Sequence, residues 1–359
     1  MTTSDLEALR ARIDALDDRI LGMLAERAAI VRDVARAKAE AGTPTHDPER
    51  ERRVLDRLVE QGAGSFPSEA IQSVFREVMS ACLSLQQPVR VAFLGPEGTF
   101  THQAARDMFG LAVRYLSTTT VDGVVDAVRR GTVAYGVVPI ENSTEGAVGS
   151  ALDALLGGGV VIRRERVLPV HHALMSLAGA VTDIERVYSH PQALAQCRHW
   201  LASHLPMAQL VQTRSTSAAA REAAADPAGA ALASPLAAAL AGLPVLIASV
   251  QDRADNATRF VVLGATDAPR TGDDKTTLTF RLRDGVGALR DAIEAFSAAG
   301  VDMRRISSRP VPDRRWEYRF VVDVAGHRED AALQGALARL GGRAEDVRVL
   351  GSYPRQDDR

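Results

Sequence analysis

Residues 89–101 read VRVAFLGPEGTFT, an apolar run of strand length followed by a glycine-rich turn and the start of a helix. The same order recurs after the apolar runs that end at Ile140, Tyr188 and Gln212. This alternation predicts an α/β fold with parallel strands. Ligands bind outside the carboxyl ends of strands in such sheets, so the polar residues that follow these runs are candidates for a binding cleft. Ordinary helix capping would explain each of them taken singly.

Two segments of different texture flank this region. Residues 4–86 have helical periodicity, and residues 275–354 read strand, helix, strand, strand, helix, strand. The joints are Gln87-Pro88 and the polar stretch 266–274. The sequence therefore predicts a multidomain protein with a helical domain at 1–87, an α/β domain at 89–267 and a small α+β domain at 275–354.

The composition limits the kinds of partner. Lys and Arg number 43 and Asp and Glu 45, and this balance gives no general attraction to nucleic acid or membrane. Cys82 and Cys197 form no CxxC pair, so we expect no redox or zinc motif and a reduced, cytoplasmic setting. There is no apolar signal core at the N-terminus and no run long enough to cross a bilayer.

One histidine pair invites a metal interpretation. His171 and His172 are adjacent, so in a strand they would point to opposite faces, and no further ligand stands at a suitable spacing. We expect a structural role for this pair. No metal and no cofactor is predicted.

The first predicted helix carries cations where its apolar stripe calls for apolar residues. The stripe consists of Leu6, Leu9, Ile13, Leu16, Ile20, Leu24, Val31 and Val34. Arg27 and Lys38 continue it on one face, about 16 Å apart along the axis, where they could close on a small dianion. Arg10 points roughly a quarter-turn away and would more easily serve a neighbouring chain. Gln86 interrupts the stripe of the third helix. Taken singly, each cation would be explained by a side chain that snorkels over the core, and Gln86 by a frayed helix end.

Five runs in this segment form a more specific pattern. They are Leu9-Arg10, residues 13–17 (IDALD), residues 24–27 (LAER), Ala37-Lys38 and residues 47–51 (DPERE). With these runs the segment resembles the all-helical chorismate mutase family, whose members are intertwined dimers. The resemblance implies that the substrate carboxylates are held by Arg10 from the partner chain, Arg27 and Arg50. It also implies that Lys38 and Gln86 bond the ether oxygen and Glu51 the ring hydroxyl, with Asp47 and Cys82 in the site region.

Four motifs in the central segment are equally specific. They are residues 95–100 (GPEGTF), 139–143 (PIENS), 188–192 (YSHPQ) followed by Gln196-Cys197, and 256–260 (NATRF). In order and spacing they resemble the prephenate dehydratase family, which has two α/β lobes like those of periplasmic binding proteins. The first lobe would span about 90–165 and return after 240, with the second between.

That resemblance implies a site in the cleft between the lobes. Thr258 is implied as the catalytic residue, and the cleft would be lined by Thr99, Glu141, Asn142, Ser189, Gln196 and Arg259. A threonine hydroxyl is too weak an acid to protonate a leaving hydroxide outright, so we expect Thr258 to orient or relay a proton. Glu141, if buried and protonated, would be the source.

The C-terminal segment resembles the ACT domain, a ferredoxin-like module that often pairs between chains. The matching runs are Gly287-Ala288-Leu289 and Ser308-Arg309-Pro310. The resemblance implies that these residues bind L-phenylalanine as a feedback inhibitor. Ser307 stands where the family usually has glutamate, and Gly285-Val286 stand where it has Arg-Pro. The alternative is a domain that only joins chains into dimers.

Together the three resemblances imply a bifunctional enzyme that converts chorismate to prephenate and then to phenylpyruvate, as a homodimer or higher homo-oligomer. One alternative is a dehydratase whose helical segment is only an arm. The complete set of polar residues in that segment argues against this, since a decayed site would lose some of them. A second alternative is a binding protein. The absent signal sequence and the run Thr258-Arg259-Phe260 argue against it.

Overall fold

The computed structural model describes residues 3–41, 48–62, 64–86, 89–282, 285–311 and 317–356. The chain divides into two compact units. The first comprises residues 1–89 together with 109–114, and the second comprises residues 90–108 and 115–359. The prediction for Asp47 lies outside the described residues. No helix in the described ranges is long and apolar enough to span a membrane.

The first unit is helical, as the sequence predicts. Its helices are α1 (Thr3–Glu40), α2 (Pro48–Gln61) and α3 (Ser68–Gln86). Proline at the first position of α2 suits a helix start, because the N–H that it lacks would have no intrahelical partner there. Helix α3 supplies the buried residues Ile71, Met79, Cys82 and Leu83. The segment 109–114 joins this unit through Ser80, whose hydroxyl donates to the Phe109 carbonyl at 2.7 Å.

Helix α1 leaves its apolar stripe largely open in the single chain. Ten large apolar side chains between Leu6 and Val34 are each 38–67% exposed. A helix of 38 residues is about 57 Å long, and α2 and α3 are much shorter. The two shorter helices leave most of α1 uncovered.

The second unit begins with two α/β lobes. In chain order their elements are β1 (Arg90–Leu94), α4 (Phe100–Phe109), β2 (Arg114–Thr118), α5 (Val121–Arg129), β3 (Tyr135–Asn142), β4 (Gly146–Ala147), α6 (Gly149–Leu156), β5 (Val161–Pro169), β6 (Ala173–Ser176), β7 (Arg186–Ser189), α7 (Pro191–Gln196), α8 (Arg198–His204), β8 (Gln209–Gln212), α9 (Thr216–Ala224), β9 (Gly229–Ala233), α10 (Pro235–Ala241), β10 (Val245–Ile247) and β11 (Ala257–Gly264). Each lobe is built on its own sheet.

The first-lobe sheet has the order β2-β1-β3-β11-β5, with β4 paired to β3. The second-lobe sheet has the order β10-β6-β9-β7-β8. Parallel pairing was predicted, but both sheets are mixed. Strand β11 returns from the second lobe and runs antiparallel to both β3 and β5. The chain leaves the first lobe after Pro169 rather than near residue 165, because β5 pairs with β11 along its whole length.

Strand β3 is longer than the sequence suggests. Its apolar part ends at Ile140, but Glu141 and Asn142 continue it as register partners of Arg259 and Thr258 in β11. This extension matters for the site, because successive side chains of a strand point to opposite faces. Thr258 and Arg259 therefore face opposite sides of the first-lobe sheet.

The C-terminal domain has the predicted order of elements. They are β12 (Asp274–Leu282), α11 (Ala288–Ser297), β13 (Met303–Pro310), β14 (Tyr318–Ala325), α12 (Ala331–Gly341) and β15 (Ala344–Pro354). The sheet order β13-β14-β12-β15 is ferredoxin-like, and the core includes Phe280, Phe296 and Leu340. Strand β15 also packs against β5 of the first lobe, where Gly351 approaches Ile162 so closely that any Cβ would overlap the Ile162 carbonyl.

Candidate active sites

A cavity of about 360 Å³ opens between the two lobes of the second unit. The first lobe contributes the turn after β1, the start of α4 and the ends of β3 and β11. The second lobe contributes the start of α7 and the segment that leads into α9. The volume of the cavity lies within the range of small-molecule sites. The cavity walls come from strand ends and helix starts, as expected for a ligand site in an α/β fold.

Thr258 faces this cavity and is held by Asn142 across 116 residues of sequence. The Asn142 Nδ2 donates to the Thr258 hydroxyl at 3.0 Å and to Asn256 Oδ1 at 2.9 Å. Its Oδ1 accepts from the backbone N–H groups of Thr144 and Glu145 at 2.9 and 3.1 Å, which fixes the orientation of the amide. Since the Thr258 oxygen already accepts from Asn142, its own O–H is left to donate into the cavity.

Two further residues from the sequence prediction line the same cavity. Thr99 caps α4, because its hydroxyl donates to the Pro96 carbonyl at 2.9 Å and accepts from the His102 N–H at 3.4 Å. Gln196 lies on the opposite wall at the end of α7. The structure thus brings Thr99, Asn142, Gln196 and Thr258 together.

Glu141 and Arg259 do not line the cavity, which corrects the prediction for both. They lie on the other face of the β3–β11 pair, as strand alternation requires. The Glu141 carboxylate pairs with Arg305 of β13 at 2.8 Å and lies 3.7 Å from the Arg259 guanidinium. A carboxylate between two guanidinium groups on the far side of the sheet is not placed to give a proton to a ligand in the cleft.

Ser189 also lies outside the cavity wall. It is fully buried at the end of β7, where its hydroxyl donates to the Leu232 carbonyl of β9 at 2.6 Å. The predicted contact between Ser189 and a ligand is therefore corrected to a structural bond between neighbouring strands.

Arg259 instead centres a buried ionic cluster that joins the first lobe to the C-terminal domain. It donates to Glu165 at 2.8 Å, to Asp323 at 2.6 Å and to the Tyr353 hydroxyl at 2.7 Å. Lys275 also pairs with Glu165, at 2.6 Å. Burial by itself would raise the pKa of Asp323, but the charges of Arg259 and Lys275 and the hydrogen bonds from Thr277 and Arg259 together outweigh burial, and the pKa is lowered. Removing one member of this cluster would leave an uncompensated buried charge and would destabilise the contact between the first lobe and the C-terminal domain.

Two residues of the cavity wall, Arg214 and His172, were not among the individual site residues predicted from the sequence. Arg214 precedes α9, beside Ser215 and Thr216, and supplies a positive charge at a helix N-terminus. His172 follows β5 where the chain crosses between lobes, and it is buried in the wall. The polar run after β8 was the available signal for Arg214. For His172 the only signal was the adjacent pair His171-His172, and the sequence does not show which of the two lines the cavity.

A second cluster lies in the helical unit. The Arg27 guanidinium of α1 donates to the buried Cys82 thiol of α3 at 2.7 Å. Gln86 follows one turn later on the same face of α3, and its Oε1 is buried with no hydrogen-bond partner among the described residues. Lys38 and Glu51 are half-buried, whereas Arg50 is exposed. A buried, unpaired amide oxygen one turn from the Arg27–Cys82 contact indicates a site shaped for a polar ligand.

Arg10 is not part of this cluster in the single chain. It is exposed, and it lies 17 residues before Arg27 on α1, about 26 Å along the axis. An arginine side chain cannot span that distance, so one chain alone does not bring Arg10 to Arg27.

The six residues predicted to bind an effector lie on two elements, three at the N-terminus of α11 and three on β13. Gly287 has a φ of +83°, which favours glycine, and it caps α11 ahead of Ala288 and Leu289. Ser308 and Pro310 lie exposed on the outer face of β13. Arg309 points to the inner face, where it donates to the Gly149 carbonyl of the first lobe at 2.8 Å.

Comparison with known proteins agrees with this architecture. Family models described as "Chorismate mutase type II", "Prephenate dehydratase" and "ACT domain" match residues 9–87, 91–268 and 276–342. A solved structure of prephenate dehydratase from Arthrobacter aurescens in complex with L-Phe is 39% identical, with a TM-score of 0.68. The match covers 76% of this chain and 92% of that one.

Two curated relatives match along nearly the whole chain. The bifunctional chorismate mutase/prephenate dehydratase of Aquifex aeolicus is 41% identical over 355 residues, and the match covers 98% of both chains. That of Pseudomonas aeruginosa is 43% identical over 356 residues, again with 98% of both chains covered. The chain therefore belongs to the bifunctional chorismate mutase/prephenate dehydratase family.

Proposed function

We propose that the cluster around Arg27, Cys82 and Gln86 converts chorismate to prephenate and that the cavity around Thr258 converts prephenate to phenylpyruvate. In this proposal residues 1–87 form the mutase, 89–267 the dehydratase and 275–354 the regulatory domain. The observation that carries the second assignment is the Thr258 hydroxyl, oriented by Asn142 at 3.0 Å inside a cavity of about 360 Å³.

In the dehydratase step, the bond between the ring and its carboxylate breaks and its electrons enter the ring. The ring carboxylate leaves as carbon dioxide. The carbon–oxygen bond to the ring hydroxyl breaks at the opposite end, and the departing hydroxide takes up a proton from solvent to leave as water. Thr258 donates a hydrogen bond to this oxygen and stabilises the charge that develops on it. Arg214 and the N-terminus of α9 hold the carboxylate that is retained, because both present positive charge to the cavity.

The mutase step is a unimolecular rearrangement and needs no nucleophile and no proton transfer. It requires a compact conformer of chorismate and stabilisation of charge on the ether oxygen. Arg27 and Arg50 would hold the carboxylates, Glu51 the ring hydroxyl, and Lys38 and Gln86 the ether oxygen. Gln86 would bond the ether oxygen through its amide N–H groups, because an ether oxygen can only accept a hydrogen bond. The Arg27–Cys82 contact, one turn from Gln86 along α3, supports this assignment.

The mutase site would be completed by a second chain. The ten exposed apolar side chains of α1 form a long stripe that a partner helix would bury. An intertwined pair would also carry Arg10 of one chain towards Arg27 and Lys38 of the other, which a single chain cannot do. We therefore propose a homodimer whose mutase sites each take Arg10 from the partner chain.

A cytoplasmic location is proposed as well. Cys82 and Cys197 are both buried free thiols, which suits a reducing compartment.

The proposed sequence of reactions is tested by feeding purified protein with chorismate alone. We expect prephenate to appear first and phenylpyruvate to accumulate after it, both followed by chromatography. Turnover of added prephenate but not of chorismate would reduce the helical unit to a dimerising arm. Turnover of neither compound would contradict both assignments.

We further propose that L-phenylalanine binds the C-terminal domain and inhibits the dehydratase. The relative from Arthrobacter aurescens was solved in complex with L-Phe, and its match covers this domain. Gly287, Ala288, Leu289, Ser308, Arg309 and Pro310 are the proposed contacts. The effect of bound L-phenylalanine would reach the cavity through β13. Arg305 of this strand pairs with Glu141 at 2.8 Å, and Asn142, the residue after Glu141, bonds Thr258.

We expect L-phenylalanine to lower the dehydratase rate and raise the melting temperature. A ligand at 100 times its Kd stabilises the folded state by about 2.7 kcal/mol. D-Phenylalanine serves as the control ligand. Replacing Arg305 with methionine should keep the thermal shift and weaken the inhibition, because binding remains while the link to Glu141 is lost. If L-phenylalanine changes neither the rate nor the melting temperature, the proposal of feedback inhibition is wrong and dimerisation is the only role left for this domain.

A further inference from the structure

His172 is a buried polar residue in the cavity wall to which the reaction outlined above assigns no role. Its side chain is almost fully enclosed, with the ring edge-on to Phe100 at a centroid distance of 5.5 Å. The Nε2 atom lies 2.9 Å from Gln196 Oε1. The Nδ1 atom is buried and has no hydrogen-bond partner in the part of the chain that the structure describes. An apolar residue would fill this space without burying an unpaired nitrogen, so packing alone does not explain the imidazole.

The unpaired Nδ1 determines which nitrogen carries the proton. A neutral imidazole has one N–H and one lone pair. A proton on Nδ1 would bury an N–H without an acceptor, which folded proteins rarely tolerate. A proton on Nε2 is satisfied at once by Gln196 Oε1. His172 therefore adopts the Nε2–H tautomer.

The surroundings keep this imidazole neutral. Burial lowers the pKa of His172, the bond to Gln196 raises it less, and the adjacent His171 lowers it further. Arg214 and His190 line the same cavity and add no negative charge. Protonation would also place a second N–H at the sealed Nδ1.

The fixed tautomer sets the orientation of Gln196. A carboxamide has an oxygen that accepts and a nitrogen that donates. With Oε1 turned to His172, the amide nitrogen is the end left for the cavity, and no acceptor for it occurs among the described residues. The polar groups of prephenate are two carboxylates, a ketone and a hydroxyl. Their oxygens are attracted by N–H donors, whereas an amide oxygen in this place would repel the carboxylates.

We propose that His172 is a positioning residue that holds Gln196 with its amide N–H groups turned into the cavity as donors to an oxygen of prephenate. This inference rests on the assignment of the cavity to prephenate. It deepens that assignment by naming the residue that gives Gln196 its polarity.

The kinetic test compares the variants His172→Phe, Gln196→Leu, the double variant and His172→Gln in the full-length protein. We expect His172→Phe and Gln196→Leu each to lower kcat/KM for prephenate by about 10- to 100-fold, the value of one hydrogen bond to a charged group. The double variant should lose no more than Gln196→Leu alone, because both changes remove the same contact. His172→Gln should recover most of the activity, since its amide nitrogen lies near the position of Nε2.

Mutase activity and melting temperature of each variant show whether the fold is kept. His171→Gln is the matched control, because this neighbour is exposed and does not line the cavity, and it should stay within about twofold of wild type. Losses that multiply in the double variant, or a His172→Phe enzyme with unchanged kcat/KM, would overturn the proposal.

A second measurement does not depend on turnover. The ¹⁵N chemical shifts of His172 should report the Nε2–H tautomer, neutral at pH 7, and the Gln196→Leu variant should disturb them. An Nδ1–H tautomer would overturn the proposal even if the enzyme is active. Wild-type protein that fails to convert prephenate while showing the expected tautomer would instead contradict the assignment of the cavity.

Discussion

Replacing Thr258 with valine should lower the dehydratase kcat by about 10²- to 10⁴-fold, the usual range for a group that assists proton transfer. Valine keeps the shape of threonine and removes the hydroxyl. It also leaves the Asn142 amide without one of its acceptors, although the bond to Asn256 Oδ1 at 2.9 Å remains to hold it. The expected loss therefore reflects chemistry more than a displaced side chain. Initial rates with prephenate, at saturating and limiting concentrations, measure it.

A serine variant at the same position tests whether the hydroxyl itself is required. Thr258→Ser keeps a hydroxyl within reach of Asn142 and should retain a large part of the activity. Chorismate mutase activity of both variants should stay close to wild type, because Thr258 lies in a different compact unit from α1 and α3. A valine variant that keeps more than about a tenth of the wild-type kcat would remove Thr258 from the mechanism.

Replacing Lys38 with methionine should lower mutase activity by about 10²- to 10³-fold, the loss typical of removing one donor that stabilises developing charge. Methionine keeps an unbranched stem that can cover the same apolar surface. The dehydratase rate with added prephenate should not change. Arg36→Met is the matched control, because Arg36 is an exposed cation two residues earlier on α1 and pairs only with Asp33 in the described structure.

The pair of variants Lys38→Met and Arg10→Ala also tests how the mutase site is shared. Each variant alone should have mutase activity at least about 100-fold below that of wild type. Refolding the two together should restore about a quarter of the wild-type sites, because half of the dimers are mixed and one of their two sites receives both native residues. Absence of any recovery would place Arg10 and Lys38 in the same chain's site or outside the site altogether.

In the motif around Thr258, the neighbouring Arg259 has a structural role, because it contacts the C-terminal domain. The hydroxyl of Thr258 faces the cavity, while the next side chain donates to Asp323 and Tyr353 of the C-terminal domain at 2.6 and 2.7 Å. One strand thus carries the proposed catalytic group on one face and a contact to the C-terminal domain on the other. A shift of the C-terminal sheet would act on the backbone of β11 directly.

The local sequence predicted the types of secondary structure, the order of the domains and four residues of the cavity. Helical periodicity over residues 4–86 predicted the region in which α1 and α3 lie, and the strand–turn–helix pattern after Leu94 indicated the α/β lobes. These are local signals, because the period of a helix or strand is set by neighbouring residues. The motifs also selected Thr258, Asn142, Thr99 and Gln196, which the structure brings to one cavity.

Only the tertiary structure decided which way several of the other side chains point. Glu141 and Arg259 stand beside Asn142 and Thr258 in sequence, but the register of β3 with β11 turns them to the opposite face. Ser189 is drawn into a bond with β9, and His172 enters the wall because the chain crosses between lobes there. The face of a strand residue depends on partners more than 100 residues away, and no local pattern contains that information.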